Sequence, residues 1–250
     1  MSANGTAIKN TATGGCDTDA FNVDAGLWLS LCDHPFFAHA CGTLYSEREK
    51  TLIVSDLHLE KGSSFATKQI FLPPYDTAAT LSLLAEAIDG FKPKRVIALG
   101  DSFHDADGPT RLSDTDRTLL LRMTAAAEWV WVAGNHDPEL PEFLGGRFVD
   151  EIILGDISLR HEPTDDFEGG EISGHLHPCA RVRGRGRSVR KRCFAANVRR
   201  IIMPAFGAFT GGLNVRDEAF YPYFPAGSFY AYMMGNDKLY PIASQSCLPG

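Results

Sequence analysis

The 250-residue sequence contains no run of about 18 or more apolar residues, so no membrane-spanning helix is expected. Its first residues, MSANGTAIKNTATGGCDTDA, are small and polar and lack the charged and apolar regions of a secretory signal. Residues 1–22 are therefore expected to form a disordered tail. The six cysteines, at positions 16, 32, 41, 179, 193 and 247, show no C-x-x-C spacing. That argues against thiolate metal ligands and for a reduced, cytoplasmic protein. No internal repeat or long linker is visible, and 23–250 reads as a single domain large enough for a substantial core. Acid is missing altogether between Arg181 and Arg200, where eight arginines and one lysine carry +9. Since the whole chain carries −7, the remainder carries −16.

What is present is a sequence of strand and helix signals. TLIVSD (51–56), RVIALGD (95–101) and WVWVAGN (129–135) read as buried strands, and LWLSLC, ISLRH and EISGH as further strands. DTAATLSLLAEAIDG (76–90) predicts a helix capped by Asp76 or Thr77, with Leu81, Leu84 and Ile88 near one face. SDTDRTLLLRMTAAA (113–127) predicts a second helix, with Ser113 and Asp116 spaced as a capping-box variant. After residue 178 helical signals fade. RCFAANVRRIIMPAF and SFYAYMMGNDKLYPI then predict β-hairpins, the second turning near Gly235–Asp237. Helices and strands alternate early and strands dominate late, which points to a layered α/β fold.

The polar residues at the strand ends carry the chemistry. The strands end in Asp56 and His58; Asp101 and His104; Asn135, His136 and Asp137; His161; and His175 and His177. Six of the eight histidines fall in this set. A cap or a turn accounts for any one of these groups taken alone, but caps do not call for a histidine at every end. Open α/β sheets place their sites at the carboxyl ends of strands, so these groups are expected to converge on one cleft. Oxygen and imidazole donors without sulfur suit Mn²⁺, Fe, Zn²⁺, Co²⁺ or Ni²⁺. Seven ligands exceed what one tetrahedral ion takes and fit two divalent ions sharing a carboxylate.

The ordered set D-x-H, G-D, G-N-H-D, a single His and G-H-x-H resembles the calcineurin-like metallophosphoesterase superfamily. SDLHLEKGSSFA, LPPYDT, LGDSFHD, GNHDP, GHLHP and PAFGAFTGGLNV narrow the resemblance to the bacterial DNA-ligase-associated metallophosphoesterases, also described as DNA damage response endonucleases. The resemblance implies two packed mixed β-sheets flanked by helices. It implies that Asp56, His58 and His177 bind a first ion, that Asn135, His161 and His175 bind a second, and that Asp101 bridges them, with manganese the leading metal. His136 would contact the phosphate and protonate the leaving oxygen, and Asp137 would orient His136. A hydroxide held between the ions would attack phosphorus in line. His104 is read with equal weight as a phosphate contact or a support to the metal ligands, and as a purely structural residue. His34 and His39 receive no role.

The substrate is less legible. Arg181, Arg183, Arg185 and Arg187 alternate with Val and Gly, and in a single strand they would line one face, as a ladder for phosphates. A solvated basic loop or a charge-protected strand edge is the competing reading. A nuclease or phosphodiesterase acting on nucleic acid is therefore expected, with DNA favoured by the resemblance and a repair context implied by it. The alternatives are a phosphoesterase acting on a nucleotide, cyclic nucleotide or sugar-nucleotide, and a binding protein that turns nothing over. The resemblance also implies a DNA ligase or helicase partner.

Overall fold

The computed structural model describes residues 21–70, 75–184, 186–225 and 228–250. Residues 1–20 of the expected tail lie outside it, as do Arg185 and the first residues of LPPYDT. Phe21 is described and stacks on the His39 ring at 4.8 Å between centroids.

The first sheet orders seven strands as they occur in the chain: β1 (Gly26–Leu31), β2 (His34–His39), β3 (Leu44–Ser46), β4 (Thr51–Ser55), β5 (Arg95–Leu99), β6 (Glu128–Val132) and β7 (Arg147–Val149). β1 to β4 form an antiparallel meander, and β4 to β7 run parallel. The parallel strands TLIVS, RVIAL and EWVWV are buried on both faces, which is why they read as continuous apolar runs rather than alternating ones. Ser55, Leu99 and Val132 share one register level. The three loops that follow therefore leave the sheet side by side.

The helices α1 (Lys61–Thr67), α2 (Asp76–Phe91), α3 (Gly108–Arg111) and α4 (Asp114–Ala126) include the two expected from sequence. Leu81 and Leu84 of α2 and Leu120 and Met123 of α4 pack on the outward Val54, Val96, Ala98, Trp129 and Trp131. Ser113 caps α4 as expected, accepting from the Asp116 amide at 3.1 Å. The expected cap of α2 is not used. Tyr75 occupies the cap position, and the Asp76 carboxylate instead accepts from the Gly62 amide at 2.9 Å, tying α2 to α1.

The second sheet comprises β8 (Ile152–Leu154), β9 (Ile157–Leu159), β10 (Gly170–Ser173), β11 (Cys179–Arg183), β12 (Ser188–Ala196), β13 (Arg200–Ile202), β14 (Tyr230–Met234) and β15 (Leu239–Ala243). Both expected late hairpins form, β12 against β13 and β14 against β15. The two sheets bury Ile53, Ile97, Leu99, Val130 and Val132 against Ile157, Leu159, Ile172, Phe194 and Ile201. Each such side chain contributes about 1.5–3 kcal/mol by leaving water. This core brings the ends of β9 and β10 opposite those of β4, β5 and β6. The architecture is the expected α/β sandwich of two mixed sheets with flanking helices. Among the described residues no helix is long and apolar enough to cross a membrane.

Candidate functional site

Asp56 and His58 follow β4, Asp101 follows β5, Asn135 and His136 follow β6, His161 follows β9, and His175 and His177 follow β10. Asp56, His58, Asp101, His175 and His177 all take positive φ, between 44° and 66°. L-residues held there cost on the order of 1–3 kcal/mol each and persist only where the surroundings enforce them. The enforcement is visible: the His58 amide donates to the Asp101 carbonyl at 2.9 Å, and the His175 amide donates to both Asp56 carboxylate oxygens at 3.2 Å. The glycines of the motifs make the close approach feasible. A Cβ on Gly134 would lie 2.1 Å from the Asp101 amide, and one on Gly174 would lie 1.9 Å from Ser55 Oγ.

The side chains gather in two groups. In the first, His177 Nε2 lies 3.0 Å from Asp56 Oδ1 and 3.2 Å from His58 Nε2. In the second, His161 Nε2 lies 2.9 Å from Asn135 Oδ1 and 3.2 Å from His175 Nδ1, while His175 Nδ1 is 3.0 Å from the same Asn135 oxygen. Asp101 stands between them. Its Oδ1 is 3.4 Å from His161 Nε2, and its Oδ2 is 3.7 Å from His58 Nε2. His161 Nδ1 donates to the Leu99 carbonyl at 3.0 Å, which directs Nε2 into the second group. Ser55 Oγ donates to Asp56 Oδ2 at 2.5 Å and fixes that carboxylate.

This donor set fits divalent cations. Imidazole nitrogens that face one another at 3.2 Å, beside buried carboxylates, are arranged as ligands to a shared cation. Asp56, His58 and His177 form one such group, and Asp101, His161 and His175 another. The electrostatics agree. Burial alone would raise the Asp101 carboxyl, but hydrogen bonding and charge from His161 and the His136 amide hold it down at about 2. Burial lowers His58 to about 3, so its ring is neutral and its lone pair free to coordinate.

His136 lies on the rim. Its amide donates to Asp101 Oδ1 at 2.9 Å, and its Nδ1 donates to the His104 carbonyl at 2.8 Å. Nε2 faces the site, 3.9 Å from Asp101 Oδ2. The expectation that Asp137 orients this ring is corrected. Asp137 is buried beneath Gly134, and its Oδ2 accepts from the Phe103 amide at 3.0 Å. Burial pushes its carboxyl up to about 7. His104 supplies its carbonyl to His136 and lays its ring against the His136 ring, 5.3 Å between centroids.

The arginine ladder is also corrected. β11 ends at Arg183, the chain turns through Gly184 and Gly186, and β12 returns. Arg181 therefore stands opposite Arg190, and Arg183 opposite Ser188. The basic groups form a two-stranded patch rather than a single line. Arg183, Arg187 and Arg190 are exposed, Arg181 is half-buried, and Arg185 lies outside the described residues. Arg190 Nη2 donates to the Gly212 carbonyl at 2.5 Å, next to the His177 backbone. Arg192, counted in the same basic run, is half-buried and turned toward the backbone. Its Nη1 donates to the carbonyls of Ala205, Phe206 and Gly207. Ser55 and Arg190 are residues near the site that the strand-end pattern does not single out: Ser55 acts on the adjacent Asp56, and Arg190 on Gly212, which is distant in sequence.

The model of the calcineurin-like phosphoesterase family matches residues 49–187. No curated protein matches. Among solved structures, Pseudomonas putida nuclease MPE is similar at 25% identity and a TM-score of 0.67, covering 87% of this chain and 100% of that one. Yfce, a phosphoesterase from E. coli, is similar at 13% identity and a TM-score of 0.39, covering 77% of this chain and 98% of that one. The family match spans more than half of the chain and includes all seven candidate ligands and His136, so this chain belongs to the calcineurin-like phosphoesterase family of metal-dependent phosphoester hydrolases.

Proposed function

We propose that the chain is a dinuclear phosphodiesterase that cuts nucleic acid, with DNA favoured over RNA and manganese the leading metal. The observation that carries this reading is the Asp101 carboxylate, whose two oxygens face two separate imidazole groups. Asp56, His58 and His177 would hold one ion, Asn135, His161 and His175 the other, and Asp101 both. When bound, the cations supply Lewis acidity that makes water nucleophilic near neutral pH and offsets charge on the phosphoryl oxygens. The chain's own residues do the rest. His136, its Nδ1–H committed to the His104 carbonyl, presents Nε2 and as the imidazolium gives its proton to the departing oxygen. Asp101 Oδ1 holds the His136 amide, so the acid and the carboxylate share one geometry. Asp137 supports the loop after β5 through the Phe103 amide rather than acting on the ring.

The basic hairpin favours a polyanion over a small ester, since Arg181, Arg183, Arg187 and Arg190 lie on one hairpin whose Arg190 reaches the Gly212 carbonyl beside the His177 backbone. The likeness to a nuclease structure and the motifs shared with DNA-ligase-associated phosphoesterases support the same substrate. A repair setting and a ligase or helicase partner rest on those motifs alone. The deciding experiment is a screen of divalent metals against single-stranded and duplex DNA, RNA, a bis-nitrophenyl ester and a phosphate monoester. Metal-dependent cutting of DNA is expected. Turnover of nucleotides or sugar-nucleotides with no cutting of any polymer would replace this reading with a small-molecule phosphoesterase.

A further inference from the structure

We infer that Phe65 is a stacking platform for a nucleobase beside the cleaved phosphate, with Lys61 and Lys68 reaching the flanking phosphates. The inference rests on the nuclease reading above and adds residues that the metal-site motifs do not include. α1 leaves the D-x-H loop directly, starting one residue after Glu60, whose φ is 62°. Its buried residues are Gly62 and Ser64, while Phe65 is only half-buried. A helix held for its apolar contact would bury the phenylalanine and expose the small polar residues. The Phe65 ring lies 5.5 Å from His104 at 33° between planes, and His104 lies 5.3 Å from His136 at 27°. Three flat rings thus run in file along the rim of the site, from the exposed His136 through His104 to the half-buried Phe65.

The charges beside that ring point to the ligand. Lys61 Nζ and Lys68 Nζ stand 6.0 Å and 5.9 Å from the Phe65 centroid. Neither lysine makes an ion pair with a described residue. Lys61 donates to the carbonyl of Phe209, itself an exposed residue, at 3.1 Å. Exposed or half-exposed aromatic rings interleaved with unpaired cations are the surface on which bases stack while phosphates are neutralised. A small phosphate ester near the Asp101 centre would not reach Phe65 with a second group. A nucleotide chain would, because each phosphate carries a base beside it.

The test uses two DNA oligonucleotides with one cleavable linkage, flanked by adenine in the first and by an abasic sugar in the second. The wild-type protein is expected to cut the adenine substrate with kcat/KM at least about tenfold higher than the abasic one. Phe65→Ala should bring the adenine substrate down to the abasic value, so that the two substrates no longer differ. Phe65→Trp should restore the difference, which separates stacking from any loss of fold. 2-Aminopurine at the same position should be quenched on binding to wild type and to Phe65→Trp, and not to Phe65→Ala. Lys68→Ser should flatten the plot of log affinity against log salt by roughly one unit. An equal loss on both substrates, or adenine cutting by Phe65→Ala at the wild-type rate, would overturn the platform while leaving the nuclease reading intact. If wild type hydrolyses a nitrophenyl ester and cuts neither oligonucleotide, the nuclease reading falls and the platform with it.

Discussion

At the scale of single residues, the Asp101 carboxylate holds three things at once: the His136 amide, the approach to His161 and the approach to His58. Asp101→Ala is therefore expected to lower metal content from two equivalents to one or fewer. Catalysis should fall by more than about 100-fold, since even groups that only orient ligands are worth 10–100-fold. Elemental analysis of purified protein at saturating metal checks the first expectation, and two full equivalents in the variant would refute the bridge. His136 makes a different prediction, because its Nδ1 is committed to the His104 carbonyl and its Nε2 stands on the rim, 3.9 Å from Asp101 Oδ2. His136→Ala should keep its metals yet lose at least about 100-fold in rate on esters with poor leaving groups. The deficit should narrow for a nitrophenyl ester, whose leaving oxygen needs little protonation. Equal losses on both would recast His136 as a phosphate-positioning residue, and loss of a metal equivalent would make it a ligand.

At the scale of elements, the parallel strands β4, β5 and β6 were legible because short apolar runs stop at Ser-Asp, Gly-Asp or Gly-Asn, and the loops that follow hold most of the candidate ligands. The arginine segment departs from the expected single strand at this scale. Period-two alternation across residues 181–187 is compatible with one strand, but Gly184 and Gly186 permit a turn that the alternation cannot locate. The hairpin sets the prediction. Arg183 and Arg187 are exposed on it. Replacing both with Ser should leave small-ester kinetics within about twofold and flatten the salt dependence of DNA affinity by roughly one unit for each phosphate no longer neutralised. A salt series on both substrates with the same double variant checks it, and an unchanged slope would remove the hairpin from the DNA-binding surface.

At the scale of the whole molecule, the fold encloses a titratable group far from any motif. His39 is 3% exposed, gives its Nε2–H to the Asn22 carbonyl at 2.8 Å and accepts the Cys41 amide on Nδ1 at 3.1 Å. Both ring nitrogens are committed to the neutral tautomer, and burial lowers its pKa from the ordinary 6.5. Below 6.5 the unfolded chain takes up a proton that the folded chain refuses. The stability contributed by neutral His39 is thus present above 6.5 and is lost as pH falls toward the depressed folded value. The unfolding free energies of wild type and His39→Gln should converge as pH drops from about 7.5 to about 5. A constant gap across that range in denaturant titrations would show that protonation at His39 does not matter to folding. By itself the sequence determined the donor types, their order along the chain and the strands that end in them, because those depend on residue identity and short-range periodicity. The resemblance already implied that Asp101 lies between two groups; tertiary structure alone decided that the His104 carbonyl rather than neighbouring Asp137 holds His136 Nδ1, and that Phe65 extends the ring file. The pairings of the site join residues as far apart in the chain as His58 and His177, and only the packing of one sheet on the other brings such loops to a common edge.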